Sequence, residues 1–244
     1  MTSQQPTPRP EQIDALTRGL VLPLAPLDDE HLFLVADMLA TAWDDLGRSS
    51  NQTLASGSEA EINALLAARL TGMLNEYPLW EQLVRCITRG TETVSFDGTH
   101  LEKRPDLSIH LTARTPAFPL LVECKLIDAP AGKTSALYCS HGLRRFLTGE
   151  YGWAIRESMM LAYVRDQSTT ASCLAPFLIG SRSQEPEPYP MRHPPVTIAR
   201  SALDLCKTSH DRAFRYVGRE APVDDPGPVA IWHIWLQQLP SAPH

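Results

Sequence analysis

The stretch that most limits how this chain can fold is Lys103–Asp128, KRPDLSIHLTARTPAFPLLVECKLID. It reads as two strands, Asp106–Ala113 and Pro119–Ile127, joined by a turn rich in Thr, Pro and Arg. Side chains alternate faces along a strand. Leu120, Val122, Cys124 and Leu126 therefore share one face, and Leu121, Glu123, Lys125 and Ile127 share the other. The first face is wholly apolar. The second sets a carboxylate and an ammonium side by side between apolar neighbours, where charges are seldom found unless paired or bound to a metal. An antiparallel hairpin would bring Asp106 into the sheet close to Glu123 and Lys125. Two carboxylates on adjacent strands offer hard oxygen ligands for Mg2+ or Mn2+. A lysine two residues along can orient or help deprotonate a water, or offset charge developing on a phosphate.

A chain of 244 residues fits one large domain, or one domain with extensions. Residues 1–11, with three prolines and little to bury, are expected to form a disordered lead-in. Asp28–Leu46 reads as a helix: Asp28 or Asp29 can cap it, and Leu32, Val35, Ala36, Leu39 and Trp43 recur at helical spacing. Ser58–Asn75 reads as a second helix. At about 100° per residue, Ile62, Leu65, Leu66, Leu70, Met73 and Leu74 fall on one arc, with Glu59 inside that arc and Glu61 outside it. A glutamate on the buried face is odd for packing alone, although the helix dipole favours it there. Tyr77–Thr88 is expected to continue as a further helix.

Thr91–Phe96 alternates and is rich in β-branched residues, which predicts a strand, and Asp97-Gly98 is a turn signal. The expected core is then a three-strand meander (Thr91–Phe96, Asp106–Ala113, Pro119–Ile127), a helix over Lys133–Leu147, a short helix around Glu150–Glu157 and a buried strand at Met159–Val164. Beyond it, 166–180 is expected to be helical and Ser181–Pro195 a loop. Val196–Leu205 and Val229–Leu239 have strand character and either extend the sheet or form a hairpin beside it.

Pro105-Asp106 followed by Glu123-Cys124-Lys125 resembles the PD-(D/E)XK motif of the restriction-endonuclease-like nucleases. A bare E-x-K is common by chance. Its place inside the most apolar strand, with Pro-Asp opening the strand before, gives the resemblance weight. The order helix, meander, helix, strand over residues 58–165 is similar to that family's core. The resemblance implies an α/β fold with a restriction-endonuclease-like core over 58–165, an N-terminal helical extension over 12–57, and a C-terminal β extension over 166–244 packed on the same domain. It implies a metal-dependent nuclease in which Asp106 and Glu123 bind Mg2+ or Mn2+, with the backbone carbonyl of Cys124 as a further ligand. Lys125 would orient or activate the attacking water. Because a helix before the motif often donates another carboxylate in that family, Glu59 rather than Glu61 would complete the acidic cluster. Replacing Asp106, Glu123 or Lys125 by alanine is expected to abolish cleavage and leave the fold intact. The expected substrate is nucleic acid, DNA in the first instance, within a bacterial or phage defence or mobile-element system. Many relatives work as dimers, so a homodimer or a protein partner is an open expectation. A different class also fits: a catalytically silent module of the same fold that binds nucleic acid or a protein partner.

The segment Gly142–Val164 combines Arg144 and Arg145 with Phe146 and Tyr151, and Lys133 precedes it. Guanidinium groups beside aromatics suit phosphate contact and base stacking, while the plain alternative is core aromatics and a solvated arginine face. Ser209-His210-Asp211-Arg212 is a polar cluster expected in a loop, where His210 and Arg212 could contact phosphate or simply be surface. The formal net charge of −6 does not suit unaided binding of long duplex, so either the basic surface is local or a partner supplies it. The five cysteines are scattered without a CxxC pair, which argues against a disulfide framework or structural zinc and favours a reducing cytoplasm. No apolar run approaches a membrane span, and the polar N-terminus lacks a secretory pattern.

Overall fold

The computed structural model describes residues 7–199, 203–217 and 225–238. Residues 1–6 of the expected lead-in lie outside these. Pro10 and Glu11 are not disordered: they open helix α1 (Pro10–Thr17), whose first position suits proline because its missing N–H has no partner there anyway. Ile13 anchors α1 in a cluster with Leu22, Phe118 and Trp153. Helix α2 (Asp29–Ser49) starts where expected, with the Asp28 carboxylate accepting the Glu30 N–H at 2.9 Å. Helix α3 (Asn51–Ser56) is short. Helix α4 (Glu59–Gly72) opens on a reciprocal cap between Ser58 and Glu61, and one tighter turn carries it on to Asn75.

The first strand departs from the sequence expectation. Helix α5 (Pro78–Leu83) stops early and the chain enters β1 (Val84–Arg89), where a continuing helix was expected. Val84, Ile87 and Thr88 are β-branched, and β1 gains antiparallel pairing with β2 (Leu107–Leu111), Ile87 lying opposite Ile109. Thr91–Phe96 forms only a single bridge, Thr93 to Lys103, and sends Val94 and Phe96 to the Ile13–Phe118 cluster. Strand β3 (Leu120–Ile127) pairs antiparallel with β2.

A helix then crosses over in three pieces: α6 (Ser135–Tyr138), a wide π turn (Cys139–Leu143) and α7 (Arg144–Leu147). Gly142 lies flat on the sheet, where an added Cβ would collide with the Met160 Cε and fall 3.5 Å from the Glu123 Cγ. The short helix expected around Glu150–Glu157 does not form. Gly149 and Gly152, with φ of +73° and +69°, turn the chain instead, and Glu157 begins β4 (Glu157–Val164), parallel to β3. A second wide turn leads into α8 (Ala175–Ser181). Strands β5 (Val196–Thr197), β6 (Asp204–His210) and β7 (Val229–Gln237) complete the sheet, and the Leu239 end of the last expected strand lies outside the described residues.

The result is an α/β fold on one seven-stranded mixed sheet in the order β1-β2-β3-β4-β7-β6-β5, with β3, β4 and β7 mutually parallel. The C-terminal strands thus extend the sheet: β7 pairs with the whole length of β4. Helices α2 and α4 cover one face over Leu120, Val122, Cys124, Met159, Leu161 and Trp232. The crossover helix and α8 cover the other over Leu121, Ile127, Met160, Ala162 and Ile231. The alternation expected along β3 is the alternation observed. Among the described residues, no helix is long and apolar enough to cross a membrane.

A polar string is buried under the crossover helix. The Tyr138 hydroxyl lies 3.0 Å from His233 Nδ1, Thr208 Oγ1 lies 2.8 Å from His233 Nε2, and His210 Nε2 lies 2.8 Å from the same hydroxyl. Burial pushes His233 down to about 3 and His210 down to about 4, from an ordinary 6.5. Unfolding would return both to the ordinary value, so the unfolded chain takes up protons first. Their contribution to stability is complete above pH 6.5 and is lost as pH falls from there towards 4 and 3, at about 1.4 kcal/mol per pH unit for each ring. Urea midpoints measured from pH 7 to pH 4 should therefore fall more steeply for wild type than for His233→Gln. Parallel curves would show that this ring is not held neutral.

Candidate functional site

The site is built where β2 leaves β3. Their pairing ends at Leu107 opposite Val122, and Pro105 cannot supply a backbone N–H to carry it further. The next N–H groups on that side of β3 would be left open. Carboxylates take them instead: Asp106 Oδ2 accepts the Cys124 N–H at 2.8 Å, and Glu59 Oε2 accepts the Leu126 N–H at 3.1 Å. Glu59 reaches the strand because it opens α4 on the sheet-facing side, whereas Glu61 is occupied with Ser58 at the cap.

Lys125 curls into this opening. Its Nζ lies 2.7 Å from Glu123 Oε1, 3.2 Å from Glu59 Oε1 and 3.6 Å from Asp106 Oδ2, and donates to the Cys124 carbonyl at 2.7 Å. The lysine side chain is 15 % exposed and Glu123 is 1 % exposed. Burial, then the Asp106 charge, pushes the Glu123 carboxyl above its usual range against the pull of Lys125 and Tyr151. Burial would lower Lys125, but Glu123, Asp106 and Glu59 outweigh it and hold the ammonium protonated well above its ordinary value.

The structure therefore brings Asp106, Glu123, Lys125, Glu59 and the Cys124 carbonyl together. Arg145 and Tyr151 join them in a role different from the expected one. The Tyr151 hydroxyl donates to Glu123 Oε2, Arg145 Nη1 donates to the Tyr151 oxygen at 3.1 Å, and the same Nη1 stands 3.4 Å from Glu123 Oε1. Tyr151 is fully buried against Phe146 and cannot stack on a base. Both side chains brace Glu123. Arg144 and Lys133 are exposed, Lys133 beside a cleft of about 300 Å3 with Asp166 and Phe177.

His210 and Arg212 do not reach the cluster. His210 is no loop residue: it ends β6 and is buried, because β6 runs on to pair with Val229 of β7. The Arg212 guanidinium donates to the carbonyls of Gly152, Trp153, Ile155, Pro226 and Gly227, pinning chain segments rather than meeting a phosphate.

Two residues missed by the sequence reading complete the arrangement. Asn63, one turn after Glu59, donates from Nδ2 to Asp106 Oδ1 at 2.9 Å, and the Tyr163 hydroxyl donates to Asn63 Oδ1 at 2.6 Å. An amide inside an otherwise apolar helical arc, four residues from Glu59, was the available signal. Among the described residues, no group of three or more His, Cys, Asp and Glu side chains is arranged as it stands to hold a metal ion. The Lys125 ammonium is what stands between the carboxylates.

No protein-family model, no curated protein and no solved structure matches this chain.

Proposed function

We propose that this protein is a Mg2+- or Mn2+-dependent nuclease that hydrolyses phosphodiester bonds of nucleic acid, DNA in the first instance, on a restriction-endonuclease-like core. The observation that carries this is the convergence of carboxylates from α4, β3 and the entry to β2 on one lysine, at the point where β2 leaves β3. The order α4, β1–β2–β3 meander, crossover helix, then β4 parallel to β3 supports the core assignment. The donors are hard oxygens, which fits the chosen ions. Asp106, Glu123, the Cys124 carbonyl and Glu59 would hold the ion, which when bound supplies Lewis acidity and a more acidic water. Lys125, which stands between the carboxylates, would have to give up its place among them. Released, its ammonium orients the attacking water and offsets charge on the scissile phosphate. Tyr151 and Arg145 keep Glu123 fixed meanwhile. A homodimer or protein partner carrying basic surface would offset the net charge of −6, in a reducing cytoplasm that keeps the five cysteines as thiols.

The test is a panel of labelled DNA and RNA substrates incubated with and without Mn2+. Wild type should cut only with the ion, and Asp106→Asn and Glu123→Gln should each lose at least about a hundredfold, as expected when a group stabilising the reacting centre is removed. Variants that cut at the wild-type rate would remove the assignment. A second function, a catalytically silent module binding nucleic acid or protein, is favoured by one observation: Asp106 and Glu59 already cap the open N–H groups of β3, a structural task that needs no catalysis. Calorimetry separates the two, since a silent module would show no Mn2+ binding that Asp106→Asn abolishes.

A further inference from the structure

We infer that Asn63 and Tyr163 are positioning residues for Asp106, forming a buried relay that fixes the direction in which this carboxylate presents its oxygens; the inference rests on the nuclease assignment above. Asn63 is 3 % exposed and sits on α4 between Ile62 and Leu66. An amide buried there is tolerated only if its polar atoms find partners. Both do, and each partner belongs to a different element: Asp106 at the entry to β2, and Tyr163 on β4.

The relay has a direction. The two flips of an asparagine amide are nearly the same in shape, so shape alone does not choose between them. An ionised carboxylate can only accept, which requires the amide NH2 to face Asp106. The amide oxygen then faces the Tyr163 hydroxyl, which donates to it. Tyr163 is fully buried and stacks on Trp43 of α2, ring centroids 5.2 Å apart and planes 9° from parallel, so its hydroxyl stays where it is. Asp106 is thereby gripped at both oxygens, Oδ1 by Asn63 and Oδ2 by the Cys124 N–H. Two donors from separate elements define the carboxylate plane and aim its remaining lone pairs into the cluster. Tyr163 lies beside Leu126 of β3 in the sheet, and its reach to Asp106 runs through the Asn63 amide.

The experiment uses Tyr163→Phe, which removes one oxygen and leaves the amide oxygen of Asn63 without the donor that holds it in place, and Asn63→Leu, which deletes the donor to Asp106. Mn2+ affinity is read by calorimetry, kcat and KM on the DNA that wild type cuts, and folding by urea titration. Outer partners of metal ligands typically change affinity about ten- to a hundredfold. Both variants should weaken Mn2+ by that factor and lower kcat at limiting Mn2+, with KM for DNA unchanged. Saturating Mn2+ should restore most of the Tyr163→Phe rate. Variants with wild-type Mn2+ affinity and a lowered urea midpoint would reduce the pair to a packing role and overturn the inference alone. A wild type that neither binds Mn2+ nor cuts would instead overturn the nuclease assignment and the inference with it.

Discussion

Lys125→Met is expected to be markedly less stable than wild type at neutral pH and to recover as the solution is acidified. The ammonium lies within 2.7–3.6 Å of three carboxylates, one of them on the almost fully buried Glu123. Removing one partner from a buried ion pair leaves an uncompensated charge and costs about 3–5 kcal/mol. The sign of the pH dependence follows from Glu123. Its folded carboxyl already titrates above its ordinary 4.5, and Lys125 is one of the groups holding it down. Without the lysine it titrates higher still. A carboxyl raised in the folded state favours folding below its unfolded value and loses that contribution as pH rises through the folded one. The deficit should therefore be smallest near pH 4.5 and grow towards pH 8, as read from urea midpoints. Added Mn2+ should narrow it if the carboxylates accept the ion. Equal stability of variant and wild type at pH 8 would mean that the lysine is not the counterion of this cluster. The sequence alone suggested that replacing Lys125 would spare the fold; the burial of Glu123 argues the opposite.

Arg114→Met should be the most damaging single change far from the cluster. Arg114, in the turn after β2, pairs with Glu157 at the start of β4 at 2.6 Å, their side chains only 5 % and 3 % exposed. The guanidinium also donates to the Ala25 carbonyl at 2.8 Å, tying the approach to α2 to the sheet. Burial raises the Glu157 carboxyl even with Arg114 beside it, so the unpaired charge would be costly. A loss of about 3–5 kcal/mol corresponds to a fall in Tm of roughly 10 °C for a chain of this size. Calorimetric melting checks it, and the double change Arg114→Met with Glu157→Gln should regain a large part of the loss. If the double variant melts no higher than the single one, lost packing rather than the stranded carboxylate is responsible.

What could be read from the sequence was local. Alternation along Leu120–Ile127 assigned its two faces, because a strand's period needs no knowledge of its neighbours. Helical spacing separated Glu59 from Glu61, because the capping position and the buried arc are both set within one turn. What failed depended on distant partners. Val84–Arg89 becomes a strand through Ile109 and its neighbours, some twenty residues on, and a six-residue segment has too little periodicity to announce that. Tyr151 and Arg145 look alike whether they meet a base or a buried glutamate. His210 and Arg212 were grouped because they are close in sequence. One is drawn into β6 by Val229, and the other is claimed by carbonyls from two separate segments. Asn63 was visible as a polar residue among apolar ones, but its partner lies 43 residues away.

The wide turn at Cys139–Leu143 makes the cluster's electrostatics a matter of counting. A π turn spends one residue more than an α-helical turn, which rotates everything after it by about 100° relative to an uninterrupted helix. Arg145 comes after that turn, and its guanidinium stands 3.4 Å from Glu123. A relative shortened by a single position there could keep every named side chain and still present a different residue to the glutamate. Spacing through this helix, as much as composition, decides where the second positive charge lands.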